Sequence, residues 1–116
     1  MPVIRIAQAQ INTTVGDFSN NSAKIIEAIH HARDQGVDII TFPELSVCGY
    51  PPEDLLLKRG FLQDNLDWLE RIGETTEGIT AVIGHADHAD DKVYNAASVF
   101  QAVSYTHLRA HETKAN

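Results

Sequence analysis

Cysteine is nearly absent from this 116-residue chain, with Cys48 the only one. An internal disulfide is therefore excluded, and a reducing compartment is expected. Basic side chains are also scarce, nine Lys and Arg against 16 Asp and Glu, for a formal charge of −7. That balance weighs against nucleic acid or an anionic membrane surface as a partner. No apolar run approaches the roughly 18 residues of a membrane span. The opening Met-Pro-Val-Ile-Arg-Ile lacks a basic stretch followed by an apolar one. A cytoplasmic rather than secreted protein is expected. A glycine-rich phosphate loop is missing too, since Gly78 and Gly84 merely bracket a short apolar strand.

What remains reads as one small α/β domain. Val3–Gln10 alternates apolar and polar residues, which predicts a strand, and its early start suggests an inner place in a sheet. Asn20 or Asn21 can cap a helix that runs to Gln35 on an Ile25, Ile29 and Ala32 face, with Gly36 as its left-handed stop. Val37–Phe42 predicts a second strand, parallel to the first. Phe61, Leu62, Leu66, Leu69 and Ile72 recur at helical spacing, with Trp68 on the flank. Ile79–Gly84 and Val93–Gln101 predict two further strands, joined as a hairpin across the polar "HADHADDK". The order β-α-β-α-β-β implies a layered α/β architecture.

The composition changes after Gln101. Residues 1–101 hold 7 Lys and Arg against 15 Asp and Glu, whereas residues 102–116 hold 2 against 1. The segment "AVSYTHLRAHETKAN" has little apolar periodicity and carries two of the six histidines. It resembles the translation of a sequencing adapter. The expectation is a boundary at 101, with 102–116 foreign to the domain.

Chemistry concentrates in "FPELSVCGYPPEDLLL", residues 42–57. Pro43 holds Phe42 extended, ending the strand without letting a helix start. Glu44 then falls at the C-terminal tip of a parallel strand, where open α/β sheets bind their ligands. Gly49 allows a tight turn, and Tyr50-Pro51-Pro52 stiffens the loop. Beside apolar Phe42 and Leu45, a carboxylate loses water and becomes a better proton acceptor, which suits a general base. The plainer alternative is that Glu44 caps a backbone group or faces water. Tyr50 either lines a ligand pocket or packs the loop on the sheet. His85, Asp87, His88, Asp90 and Asp91 could be grouped as metal ligands, but a polar turn accounts for them and no metal site is expected. His107 and His111 stand four apart without the glutamate that the helical zinc motif requires. His30 and His31 are expected to face solvent.

"IRIAQAQINTTVGDFSNNSAKI", "GVDIITFPELSVCGYPPEDLLL" and "YNAASVF" together resemble the opening of a nitrilase-superfamily carbon–nitrogen hydrolase. Within that superfamily they are most similar to the glutaminase domain of glutamine-dependent NAD synthetases, through Pro51-Pro52-Glu53-Asp54-Leu55. The resemblance covers residues 3–101. It implies part of a nitrilase-type α-β-β-α sandwich with a mixed sheet. It also implies a Glu-Lys-Cys triad, in which the glutamate is the base, the lysine stabilises the oxyanion and the cysteine attacks the amide of glutamine. Ammonia would pass to a synthetase domain that uses ATP and Mg to amidate nicotinate adenine dinucleotide, in a homo-oligomer.

Only Glu44 finds a match in this triad, as general base, with Tyr50 as a secondary glutamine-binding candidate. Where the family's lysine follows "NAASVF" and a turn, this chain reads Ala102-Val103-Ser104-Tyr105-Thr106-His107-Leu108. The family's nucleophile lies beyond residue 116, and so does the synthetase domain. Cys48 shares a loop with Glu44, whereas the nucleophile comes from another strand end, so Cys48 is read as a structural thiol. These 116 residues alone are expected to be inactive. Two alternatives remain: another amidase or nitrilase, which would not account for "PPEDL", and a non-catalytic α/β binding module, which would leave "FPE" unexplained.

Overall fold

The computed structural model describes residues 2–52, 55, 58–89, 92–101 and 104–109, with Arg59 and 104–109 described by their backbone alone. Five strands and two helices follow in the order β1 (Ile6–Gln8), α1 (Phe18–Asp34), β2 (Ile39–Thr41), α2 (Arg59–Gly73), β3 (Thr80–Ala89), β4 (Lys92–Gln101) and β5 (Ser104–Arg109). The strands form one sheet in sequence order. β1, β2 and β3 run parallel, while β3, β4 and β5 are antiparallel. This is the mixed sheet expected.

Both helices are amphipathic, and their apolar stripes meet the sheet in one core. Ile25 and Ile29 of α1, Leu69 and Ile72 of α2, Ile40 of β2 and Ile83 of β3 are all buried there. Phe18 and Phe61 join α1 to α2 with ring centroids 5.0 Å apart. α2 lies on the face of the sheet that carries Phe100, since a Cβ on Gly73 would come within 2.2 Å of that ring. Alternation does the rest. Ala81, Ile83, His85 and Asp87 share the helix-covered face and are buried. Val82, Val93, Asn95, Ala97 and Val99 belong to the opposite face and are half-buried. The described residues thus supply one helix layer and one sheet of an α-β-β-α sandwich.

Several boundaries differ from the sequence reading. β1 is three residues long and stands at the end of the sheet formed by the described residues. Val3 and Ile4 are exposed, and Arg5 N–H donates to the Asp38 carboxylate at 2.8 Å. The cap of α1 is Asp17, whose Oδ1 accepts from Asn20 N–H at 3.3 Å, so both asparagines lie within the helix. Gly36 does adopt the left-handed conformation, at φ 78°. "HADHADDK" is mostly strand, because the β3–β4 ladder continues to Ala89↔Lys92. Asp90 and Asp91 lie outside the described residues. Beyond 101, in the segment expected to be foreign to the domain, the backbone of Ser104–Arg109 pairs with β4.

Candidate active site

β3 outruns β2 by several residues, which leaves one edge of β3 unpaired past Val82. Buried peptide groups need partners, and here the loop after β2 and helix α2 supply them. Phe42 N–H donates to the Val82 carbonyl at 2.9 Å, extending the ladder by one residue. The next carbonyl along that edge, Gly84, accepts from Val47 N–H at 3.3 Å and from the Ser46 hydroxyl at 3.2 Å. Ala86 comes last, donating its N–H to Asn65 Oδ1 at 3.3 Å while its carbonyl accepts from Asn65 Nδ2. The loop carrying Glu44 is therefore clamped along β3.

Gly84 makes the close approach possible. A Cβ there would sit 2.3 Å from the Pro43 carbonyl oxygen and 2.9 Å from Glu44 Cα, so no side chain fits. The backbone then turns sharply at Leu45, a non-glycine residue at φ 52°. Such a conformation costs about 1–3 kcal/mol and persists where surrounding contacts dictate it. Leu45 is buried, and its carbonyl accepts from Gly49 N–H at 2.8 Å. Gly49, at φ 88°, lies directly on the backbone of Thr14 and Val15, with a Cβ excluded by contacts at 2.7 Å. Asn21 completes the attachment from α1. Its Nδ2 donates to Thr14 O (2.8 Å) and Val47 O (3.1 Å), and its Oδ1 accepts from Thr14 N–H (2.9 Å).

Glu44 projects from this clamped loop at the C-terminal end of β2 and is exposed. The loss of water expected from its apolar neighbours does not occur here, because Phe42 and Leu45 turn into the core. Its Oε2 accepts a hydrogen bond of 2.5 Å from Asn95 Nδ2 on β4. Tyr50 is 65% exposed, so its ring is not packed on the sheet.

The family model described as carbon-nitrogen hydrolase matches residues 5–114. The chain belongs to the carbon–nitrogen hydrolase family. The match spans "FPEL" and "YNAASVF", the two segments that bring Glu44 and Asn95 together, and it runs on through most of the segment after Gln101. A glutamine-dependent NAD(+) synthetase from Thermotoga maritima is 45% identical over 85% of this chain, and one from Xylella fastidiosa is 50% identical over 83%. The crystal structure of a glutamine-dependent NAD(+) synthetase from Cytophaga hutchinsonii superposes with a TM-score of 0.83, at 30% identity, over 85% of this chain and 17% of that one. The chain spans only 17% and 18% of the length of the two relatives from Thermotoga and Xylella.

Within this hydrolase fold Cys48 is inert. It is fully buried, its Sγ contacts the carbonyls of Leu45 and Gly49, and burial pushes the thiol up to about 12. A nucleophile needs the opposite environment. His85 is likewise buried, beneath α2. Its Nδ1 lies 2.9 Å from the Ala86 carbonyl and its Nε2 2.7 Å from the Ser98 hydroxyl. A carbonyl can only accept, so Nδ1 carries the hydrogen, and in the neutral ring Nε2 accepts from Ser98. Asp87 is buried on the same face, whereas His88 is exposed on the other and Asp90 and Asp91 lie outside the described residues. No group of three or more His, Cys, Asp or Glu is gathered for a metal among the described residues. His30 and His31 are exposed. The side chain of His107 and all of His111 fall outside the description.

Three residues of the site escaped the sequence reading. The sequence places Gly84 at a strand end, Asn21 as one of two possible helix caps, and Asn95 simply within a further strand. A polar residue in the middle of "YNAASVF" was the available signal for the last.

Proposed function

We propose that this segment opens the glutaminase domain of a glutamine-dependent NAD synthetase, with Glu44 as the general base. The observation that carries the proposal is the exposed Glu44 carboxylate, held at the strand tip by a clamped loop and the Asn95 amide. The names of relatives 45% and 50% identical to the chain support the choice of substrate. In the proposed reaction Glu44 takes the proton of a cysteine thiol supplied by the rest of the full-length protein. The thiolate attacks the side-chain amide carbon of glutamine, a new C–S bond forms, and a lysine ammonium faces the oxyanion. The C–N bond then breaks, Glu44 returns its proton to the departing ammonia, and water hydrolyses the thioester. Tyr50 meets the bound glutamine through its exposed ring.

This half of the reaction requires no cofactor. ATP and Mg act in the synthetase domain, which receives the ammonia, in a cytoplasmic homo-oligomer. The 116 residues alone hydrolyse no glutamine, because a base without a thiol has nothing to activate. The proposal also takes 102–116 as foreign to the native sequence, on the charge shift and the missing family lysine, although the family match extends to 114. Reading the genomic locus past the codon for Gln101 tests that point, and a native "AVSYTHLRAHETKAN" there overturns it.

The decisive experiment is Glu44→Gln in the full-length protein, assayed for ammonia release from glutamine and for NAD formation from added ammonium. Glutamine hydrolysis should vanish while ammonium-dependent synthesis survives. Turnover of glutamine at the wild-type rate would remove Glu44 from the mechanism.

A further inference from the structure

Glu44 has three rotatable bonds and projects from a loop into the open face of the sheet, so a fixed backbone does not by itself fix the carboxylate. Clamping at Gly84 sets where the side chain starts. Something else must set where it ends. In the β3–β4 register Gly84 stands opposite Ala97, and Ala86 opposite Asn95. Asn95 is therefore diagonally displaced from Gly84, two residues along β4 and on the same face, within reach of a glutamate that crosses β3. Its Nδ2 meets Glu44 Oε2 at 2.5 Å, joining residues 51 apart in sequence.

Asparagine is well suited to this place. Its amide N–H donates to a carboxylate at any pH, adds no charge, and engages one oxygen. Oε1 is left to accept the proton of the attacking group. Asn95 is also anchored on a rigid element, mid-strand in a ladder that runs from Ala81↔Phe100 to Ala89↔Lys92. Its neighbours along β4 on that face, Val93, Ala97 and Val99, are apolar, while the exposed His88 of β3 shares the face.

We infer that Asn95 is the positioning residue of the general base, holding Glu44 Oε2 so that Oε1 faces the nucleophile. This rests on the reading of Glu44 as base. A merely structural Asn95 would tie loop to sheet and affect stability alone, whereas a positioning Asn95 sets the rate at which the nucleophilic thiol is activated.

The test uses the full-length protein with Asn95→Leu, which keeps the volume and removes the donor, and Asn95→Asp, which keeps the shape and sets a second carboxylate against Glu44. Glutamine kcat should fall about 10- to 100-fold in Asn95→Leu, and further in Asn95→Asp at neutral pH. KM for glutamine should stay within about threefold in both, because Asn95 touches the base and not the substrate. Alkylation of the nucleophilic cysteine by iodoacetamide should slow in step with kcat, and NAD formation from ammonium should be unchanged. Asn95→Gln, which retains an amide donor, should recover part of the rate. If Asn95→Leu does not fold, Asn95→Asp alone decides. A glutamine kcat within twofold of wild type, or equal losses with glutamine and with ammonium, overturns the inference. Glu44→Gln measured alongside separates the two failures. If Glu44→Gln is inactive and the Asn95 variants are not, only Asn95 loses its role. If Glu44→Gln is fully active, the reading beneath it falls.

Discussion

The two faces of the β3–β4 hairpin differ in what they do with polar groups. Beneath α2, Ile83, His85, Ser98 and Phe100 are buried, and His85 meets the Ser98 hydroxyl and the Ala86 carbonyl. On the opposite face Val82, Asn95, Ala97 and Val99 are half-buried, and Asn95 presents a donor to an exposed carboxylate. One hairpin thus serves a core on one side and the proposed general base on the other. The same division runs through the Glu44 loop, whose carboxylate faces out while Cys48, four residues on, is sealed in. Position in sequence says little about exposure here. The face decides.

Substitutions can separate the two faces. The largest stability effect belongs to the helix side, where Ile83→Ala should cost about 2–5 kcal/mol, read by denaturant unfolding of the full-length protein. Its kinetic constants per folded molecule should stay near wild type. On the other side Gly84→Ala forces the Pro43–Glu44 backbone off β3, since the contacts at 2.3 and 2.9 Å leave no room. Glutamine turnover should drop about 100-fold for a displacement near 1 Å, with ammonium-dependent synthesis preserved. A Gly84→Ala enzyme with normal glutamine kinetics would show that the loop is not held as described.

The smallest effect concerns Cys48. Burial raises its thiol from an ordinary 9.0 to about 12, so the folded protein keeps a proton that the unfolded chain gives up. Its contribution to stability is therefore complete below about pH 9 and declines as pH climbs towards 12. At neutral pH a maleimide should leave the Cys48 peptide unlabelled in native protein and label it in denaturant, as read by peptide mapping. Native labelling at the rate of a free thiol would contradict the burial.

Local pattern made much of this legible. Ile25, Ile29, Leu69 and Ile72 announce two helical stripes, and Pro43 after "VDIITF" announces a strand end carrying Glu44. What stayed hidden depends on chain segments far apart. The buried place of His85 looked like part of a polar turn, because a strand at the end of a hairpin can be as polar as the turn it adjoins. Asn95 looked incidental because its partner lies 51 residues away.

By itself the sequence determined the α/β order, the parallel start of the sheet, the family resemblance and Glu44 as the candidate base. Those follow from periodicity, from the backbone restriction that proline imposes, and from contiguous motifs. Tertiary structure alone decided that β1 ends the described sheet, that Gly84 is a seat for the loop, that Cys48 is sealed and that Asn95 grips Glu44. Each of these is set by which face of a strand a residue occupies and by what another segment lays against it. Such facts come from register and packing, and no single stretch of the chain encodes them.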